Sequence, residues 1–343
     1  MVSIVFFGIL AELSARFVLY IRGEQTGRLD PAWWNLRLVD TLRVHNIFFT
    51  DAEGIFRTSA DRWDESGITI NAAGFRGREF RRFPEDSFSR SILFIGDSFT
   101  WGLNARPIDQ CFVDRIGRES SFICFNAGIP GADPAQYALI ASRYVPVLKP
   151  DYTVVTVYLA NDLMDVPRKI IPGLPLYFQT NAGWLPSFFR GRYFLTAEES
   201  YAFARQQFIP EQTWKKLLLK TGIGTALLSV SMKISEYRDW ERRTRSSVTN
   251  QYLQSIREVC AREGSRLFIF IVPPRQTDVN SSFTHNPDGY IKKKYPALTK
   301  GLEEYIHVIP VRKEHYDSAV DGHFNNDGHR IAAGFILLRL LDN

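Results

Sequence analysis

The sequence predicts an α/β fold with a central parallel sheet covered by helices on both faces. Two observations carry this. Three unbroken apolar runs, "SILFI" (91–95), "FICFN" (122–126) and "YTVVTVYLA" (152–160), alternate with two helical segments, "DQCFVDRIGRES" and "DPAQYALIASRYVPVLK". Strands without polar alternation have both faces buried, which implies a parallel sheet between helical layers. The same rhythm resumes after residue 246: a helix to Glu263, a stop at Gly264, strands "RLFIFIV" and "HVIPV", and a last helix from Asp327 to Leu341. Asp133 as N-cap and Pro134 at the first helical position mark the start of the second helix.

The remaining stretches are less regular. Residues 1–22 are apolar apart from Ser3, Glu12, Ser14, Arg16, Arg22 and some small residues, a length that suits a membrane anchor helix. Glu12 and Arg16 stand four apart and can neutralise each other on one face. Residues 23–89 are polar, aromatic and turn-rich, and read as an extension packing on the α/β domain that follows. Within it, "GITINAAGFRGREF" suggests short strands around an Asn/Gly turn. Residues 90–343 form the α/β domain, interrupted at about 165–245 by a segment rich in Pro, Gly and aromatics that ends in the apolar "WKKLLLKTGIGTALLSVSMKI". A lid, a membrane-contacting flap and a plain helical cap all fit that insertion.

Composition excludes some function classes. The net charge of +5 over 343 residues is mild, and the basic residues form no long run, so a nucleic-acid role has no support. Cys111, Cys124 and Cys260 show no metal-ligand or disulfide spacing. No cofactor and no metal are implied.

Ligands of open α/β sheets bind beyond the carboxyl ends of the strands. Four polar segments fall at such ends: Gly96-Asp97-Ser98, "NAGIPGAD" (126–133), "LANDLMD" (159–165) and "DGHFNNDGH" (321–329). Their residue types fit acyl transfer. Ser98 is the candidate nucleophile and His323 the base that takes its proton. A nearby carboxylate would hold the imidazole tautomer. The oxyanion of a tetrahedral intermediate needs fixed donors. The Ser98 N–H, the Gly131 N–H and the Asn161 side-chain amide are the candidates, and glycine at 131 lets backbone approach a ligand closely. Asp97 and Asp162 read as supports that organise the turns through backbone N–H groups. His329 is expected on the final helix rather than in the site.

"IGDSFTWG" resembles the first motif of the SGNH (GDSL-like) hydrolases, and the other three segments resemble the remaining motifs in order. The resemblance covers roughly residues 90–340. It implies a flavodoxin-like three-layer α/β/α sandwich, no metal, and hydrolysis of carboxylic esters. It also implies the roles of Ser98, Gly131, Asn161 and His323. "INAAGFRGREF" looks like the stretch that precedes the catalytic domain in membrane-anchored bacterial members. Two departures stand out. Leu159 replaces a customary glycine two before Asn161, and the customary acid position, three before the histidine, holds Val320. Asp321, two before His323, is therefore the candidate third member of the triad, with Asp317 in reserve. That D-x-H spacing looks like relatives of bacterial polysaccharide O-acetylation proteins.

The expected activity is a serine esterase acting through an acyl-serine, on short O-acyl groups, acetyl above all, carried by a carbohydrate or similar polar alcohol. Polar Thr100 and bulky Trp101 after the nucleophile, and the aromatics of 176–194, point the same way. An O-acyltransferase on a surface polysaccharide, or a lysophospholipase or lipase-like esterase, would use the same residues. A non-catalytic carbohydrate- or lipid-binding module would have lost Ser98 or His323. The resemblance places the catalytic domain outside the cytoplasm, tethered to the membrane, whereas Arg22 and Arg28 after the apolar segment argue the reverse. Oligomeric state is not legible.

Overall fold

The computed structural model describes residues 2–21, 36–59, 68–82, 89–163, 171–189, 191–208, 212–244, 248–275, 283, 285–317 and 322–342. The chain forms two compact units, one of residues 1–46 and 177–242, the other of 47–176 and 243–343.

The second unit is built on five parallel strands. In chain order they are β1 (Ser91–Gly96), β2 (Ile123–Gly128), β3 (Tyr152–Tyr158), β4 (Arg266–Val272) and β5 (Ile306–Val308). Their order across the sheet is β2-β1-β3-β4-β5, the flavodoxin-like arrangement, with the chain reversing its direction of travel beside β1. Nearly every strand residue is buried, which is why the strands read as unbroken apolar runs.

Alternate residues feed two helical layers. Ile92, Phe94, Tyr152, Val154, Phe268 and Phe270 face a core shared with helix α3 (Phe112–Glu119) and the C-terminal helix Asn326–Leu341. The other layer holds α4 (Pro134–Leu148) and α8 (Val248–Glu263), which pack against each other. Asp133 caps α4 by accepting from the Gln136 N–H, and Gly264 follows α8 with φ +73°.

The described part of the 23–89 stretch divides between the units. Residues 36–46 run beside the hairpin Tyr177–Thr180/Gly183–Pro186, where Arg37 N–H donates to the Ala182 carbonyl at 2.7 Å. Residues 47–82 belong to the sheet unit. The hairpin Phe48–Thr50/Phe56–Thr58 is tied to α4 by Gln136, whose amide accepts from Phe56 N–H at 2.7 Å and donates to the Gly54 carbonyl at 2.8 Å. The predicted Asn/Gly turn forms at 71–74. The Asn71 carboxamide oxygen accepts from Ala73 and Phe75 N–H groups at 3.0 Å, and Ile70 pairs with Arg76 as an isolated bridge. Arg76 is buried against Asp114 and Cys111, and Phe75 and Phe80 pack on Tyr144 of α4.

His329 lies on the C-terminal helix, fully buried between the rings of Phe112 and Phe324. Burial disfavours the imidazolium and pushes its pKa down to about 3. The unfolded chain binds this proton near 6.5. The native protein does not, so stability is full above that pH and is lost as pH falls toward 3, by up to about 1.4 kcal/mol per unit. His329→Leu should therefore flatten the fall of the urea midpoint between pH 7 and pH 4.5. An unchanged slope would show that this histidine is not what sensitises the fold to acid.

The first unit contains the apolar N-terminal helix α1 (Val2–Ile21), whose apolar side chains from Phe7 onward are mostly exposed. Beyond the hairpin at 177–186 it holds α5 (Ala197–Phe208), α6 (Thr213–Leu219) and the start of α7 (Gly222–Thr244). The aromatics of 176–194 mostly pack on one another and on α5, as in Phe188–Tyr193 and Phe194–Phe203. Among the described residues no single helix is long and apolar enough to cross a membrane; α6 and residues 222–235 of α7 reach that length and apolarity only together, as a pair bent by 119°.

Candidate active site

β1 ends at Gly96 because the chain must turn there in a confined space. A Cβ on Gly96 would stand 2.2 Å from the hydroxyls of both Thr100 and Thr156, and one on Gly128, its partner in register, 2.3 Å from Trp101 N. The two glycines thus let the short helix α2 (Ser98–Trp101) lie directly across the strand ends. Asp97 caps this helix, accepting from the Phe99 N–H at 2.9 Å. Ser98 is its first residue. Its N–H belongs to the first turn, where no intrahelical acceptor exists, and remains available to a ligand.

Ser98 and His323 are 225 residues apart and meet here: Ser98 Oγ lies 2.6 Å from His323 Nε2. That separation is within the reach over which a general base can take a proton. The imidazole is held by its flanks. Its ring lies 5.1 Å from the Phe99 ring, Phe324 packs edge-on against Phe99, and Tyr316 pairs with Phe324 as a β-bridge. The His323 carbonyl accepts from the Asp317 N–H at 2.9 Å. Asp321 lies outside the described residues. Asp317, the reserve, has an exposed side chain, and its hydrogen bond to His323 is made by backbone alone.

Asn161 follows β3 and is exposed. Its Nδ2 donates to Asp97 Oδ2 at 3.2 Å, which brings the amide beside the residue that precedes Ser98. A carboxamide carries two N–H donors, so one can be held by Asp97 while the other serves an oxyanion. Gly131 stands in the turn after β2 with φ +80°, a left-handed conformation that glycine adopts without strain. That turn is anchored to β1 by Ile129 N–H donating to the Gly96 carbonyl at 3.1 Å. Asn161→Ala should lower kcat by about a hundred- to a thousandfold with little change in KM, the usual cost of one oxyanion donor. Steady-state kinetics on a short-chain ester checks it, and an unchanged kcat would remove Asn161 from the site.

Two carboxyl groups are buried behind these residues. Desolvation raises the pKa of Asp97, opposed by the Phe99 N–H and the Asn161 amide. Desolvation raises that of Asp162 much further, and the neighbouring Asp97 adds to the effect. Asp162 Oδ2 accepts from the Tyr158 N–H at 2.9 Å and the Tyr137 hydroxyl at 3.0 Å, which fixes the turn carrying Asn161. Tyr137 and Phe99 are the supports that sequence reasoning missed. The only hint of Tyr137 is its place one turn into α4, on the face that α4 turns to the sheet.

Thr100 and Trp101 are fully buried, Thr100 hydrogen-bonded to Thr156 and Trp101 edge-on to Phe48. They pack the core beneath Ser98 and are not placed to line an acyl channel, contrary to the sequence-based argument. Among the described residues no group of three His, Cys, Asp or Glu side chains is placed to hold a metal ion.

No protein-family model matches the sequence, and no curated protein matches it. Solved structures do. A lipase/acylhydrolase from Enterococcus faecalis aligns at 15% identity and a TM-score of 0.35, covering 73% of this chain and 95% of that one. The psychrotrophic esterase EstA from a Pseudoalteromonas species aligns at 8% identity and a TM-score of 0.37, covering 74% of this chain and all of that one. A two-domain esterase active on acetylated mannans aligns at 11% identity and a TM-score of 0.37, over 74% of this chain and 49% of its own.

Proposed function

We propose that the protein is a serine esterase that hydrolyses carboxylic esters through an acyl-serine intermediate. The contact of Ser98 Oγ with His323 Nε2, at the carboxyl end of β1, carries this reading. His323 takes the Ser98 proton as Oγ attacks the ester carbonyl. The resulting oxyanion is met by the N–H groups of Ser98 and Gly131 and the Asn161 amide. The protonated His323 then gives its proton to the leaving alcohol, and water repeats the sequence on the acyl-serine. Asp321 is assigned to hold the imidazole tautomer.

The substrate we assign is a short O-acyl ester, acetyl above all, on a carbohydrate or similar polar alcohol. Support comes from the D-x-H spacing at 321–323 and from "INAAGFRGREF", both of which resemble members tied to surface polysaccharide modification. Nitrophenyl esters from two to about sixteen carbons test the acyl half, spanning a range over which each buried CH₂ is worth about 0.8 kcal/mol. A specificity constant that falls beyond butyrate is expected. One that climbs toward palmitate would favour a lipase-like enzyme, and transfer of the acetyl group to added sugar in preference to water would favour an acyltransferase.

We further propose that α1 anchors the protein, with the site outside the cytoplasm. The exposed apolar side chains of α1 support the anchor. A reporter active only in the periplasm, fused after Asn343, should be active, and its silence beside an active cytoplasmic reporter would reverse the orientation.

A further inference from the structure

Glu12 and Arg16 interrupt an otherwise apolar helix, and the first unit shows what they do. The Glu12 carboxylate accepts from the backbone N–H groups of Gly222, at 2.6 Å, and Ile223, at 3.1 Å. Arg16 Nε donates to the same carboxylate at 2.8 Å. A Cβ on Gly222 would stand 2.6 Å from Arg16 Cγ and 3.2 Å from Arg16 N, so glycine is what lets α7 start against α1. The joint is therefore built. The first N–H groups of a helix have no intrahelical acceptor, and in hydrocarbon no water can replace one. Glu12 supplies acceptors for two of them.

Apolar side chains continue outward from this joint. On α6 the exposed Trp214, Leu217 and Leu218 share one face; on α7 exposed Ile223, Leu227, Val230 and Ile234 form one stripe. On α1 the exposed apolar residues Phe7, Ile9, Leu10, Leu13, Phe17 and Tyr20 spread over about half the circumference, opposite the buried Leu19. An apolar face this broad, continued on α6 and α7, is wider than the stripe by which a helix docks on one partner, and it suits lipid. Lys215, Lys216 and Lys220 border the elbow, with Lys215 Nζ 5.4 Å from the Trp214 ring. Lysines beside a tryptophan match the headgroup level, where long cationic side chains reach for water and anionic phosphate.

We propose that α6 and α7 form a second bilayer-contacting element, locked to α1 through Glu12, with phospholipid acyl chains as the occupant of its apolar face. The proposal rests on the reading of α1 as an anchor. The full chain is reconstituted in vesicles of phosphatidylcholine and phosphatidylglycerol. Nitroxides are attached in separate variants, Leu10→Cys, Leu217→Cys and Leu227→Cys, with Glu198→Cys on α5 as the aqueous reference and unsubstituted protein as the background for native cysteines. Collision with oxygen, which partitions into lipid, is compared with collision with a water-soluble nickel chelate. At 10, 217 and 227 oxygen should dominate. Water exposure at 217 and 227 with lipid exposure at 10 would overturn the elbow and leave the anchor standing. Water exposure at 10 as well would overturn both. Shielding of 217 and 227 from both reagents would mean that protein, not lipid, covers the face, and would also overturn the proposal. Glu12→Ala should shift the label at 227 toward water while that at 10 stays in lipid, and Glu12→Gln, which keeps an acceptor oxygen, should restore it. No shift in Glu12→Ala would deny the joint its role.

Discussion

Ser98→Ala is expected to reduce ester hydrolysis by roughly 10⁴- to 10⁶-fold, the loss seen when a nucleophile is removed from a working triad. The fold should survive. The hydroxyl's contact in the native state is with His323, and a single such hydrogen bond is worth about 1 kcal/mol net. The thermal midpoint of a domain this size should then move by only about 2–4 °C. The backbone of the turn is held by other groups: the Asp97 cap, the Gly102 N–H on the Ser98 carbonyl, and the confined crossing at Gly96 and Gly128. Activity and melting must be measured on the same preparation. Full activity in a folded Ser98→Ala protein would contradict the esterase reading.

His323→Ala should be as damaging, and the double variant Ser98→Ala/His323→Ala no worse than either alone, because the two act as a unit. In the proposed mechanism the imidazole both takes the Ser98 proton and returns one to the leaving alcohol, and its removal takes away both steps. The third member is separable. Asp321→Asn should cost on the order of 10⁴-fold in kcat by favouring the wrong tautomer. Asp317→Asn should cost little, since the link of Asp317 to His323 is a backbone N–H on a carbonyl, which the substitution leaves in place. The reverse pattern would move the acid to Asp317. A double variant much slower than either single one would mean that the two residues act separately.

The sheet was legible because its strands are buried on both faces. "SILFI", "YTVVTVYLA" and "RLFIFIV" mark β1, β3 and β4 within two residues, since no charged residue interrupts them and the threonines of β3 are buried with hydrogen-bond partners. Asp133-Pro134 marked the start of α4 for the same local reason. The meeting of Ser98 with His323 was legible through the strand-end rule, which needs only topology. Other features depend on side chains whose partners are far away in sequence. The role of Gln136 in holding the 54–56 turn and that of Tyr137 in holding Asp162 leave no periodic trace. Thr100 and Trp101 misled because a residue next to a nucleophile on a four-residue helix can point straight back into the core. The division of the 23–89 stretch near residue 46 was also hidden, because the partner strand of 36–46 lies about 140 residues downstream.

The central claim is that Ser98 attacks the acyl carbon. A fluorophosphonate tests it most directly: an activated serine oxygen attacks phosphorus, fluoride leaves, and the adduct resembles the tetrahedral intermediate. Intact-mass spectrometry of the full chain should show one adduct, peptide mapping should place it on Ser98, and His323→Ala protein should stay unlabelled under the same conditions. An adduct on another residue, or equal labelling of wild-type and His323→Ala protein, would contradict the account.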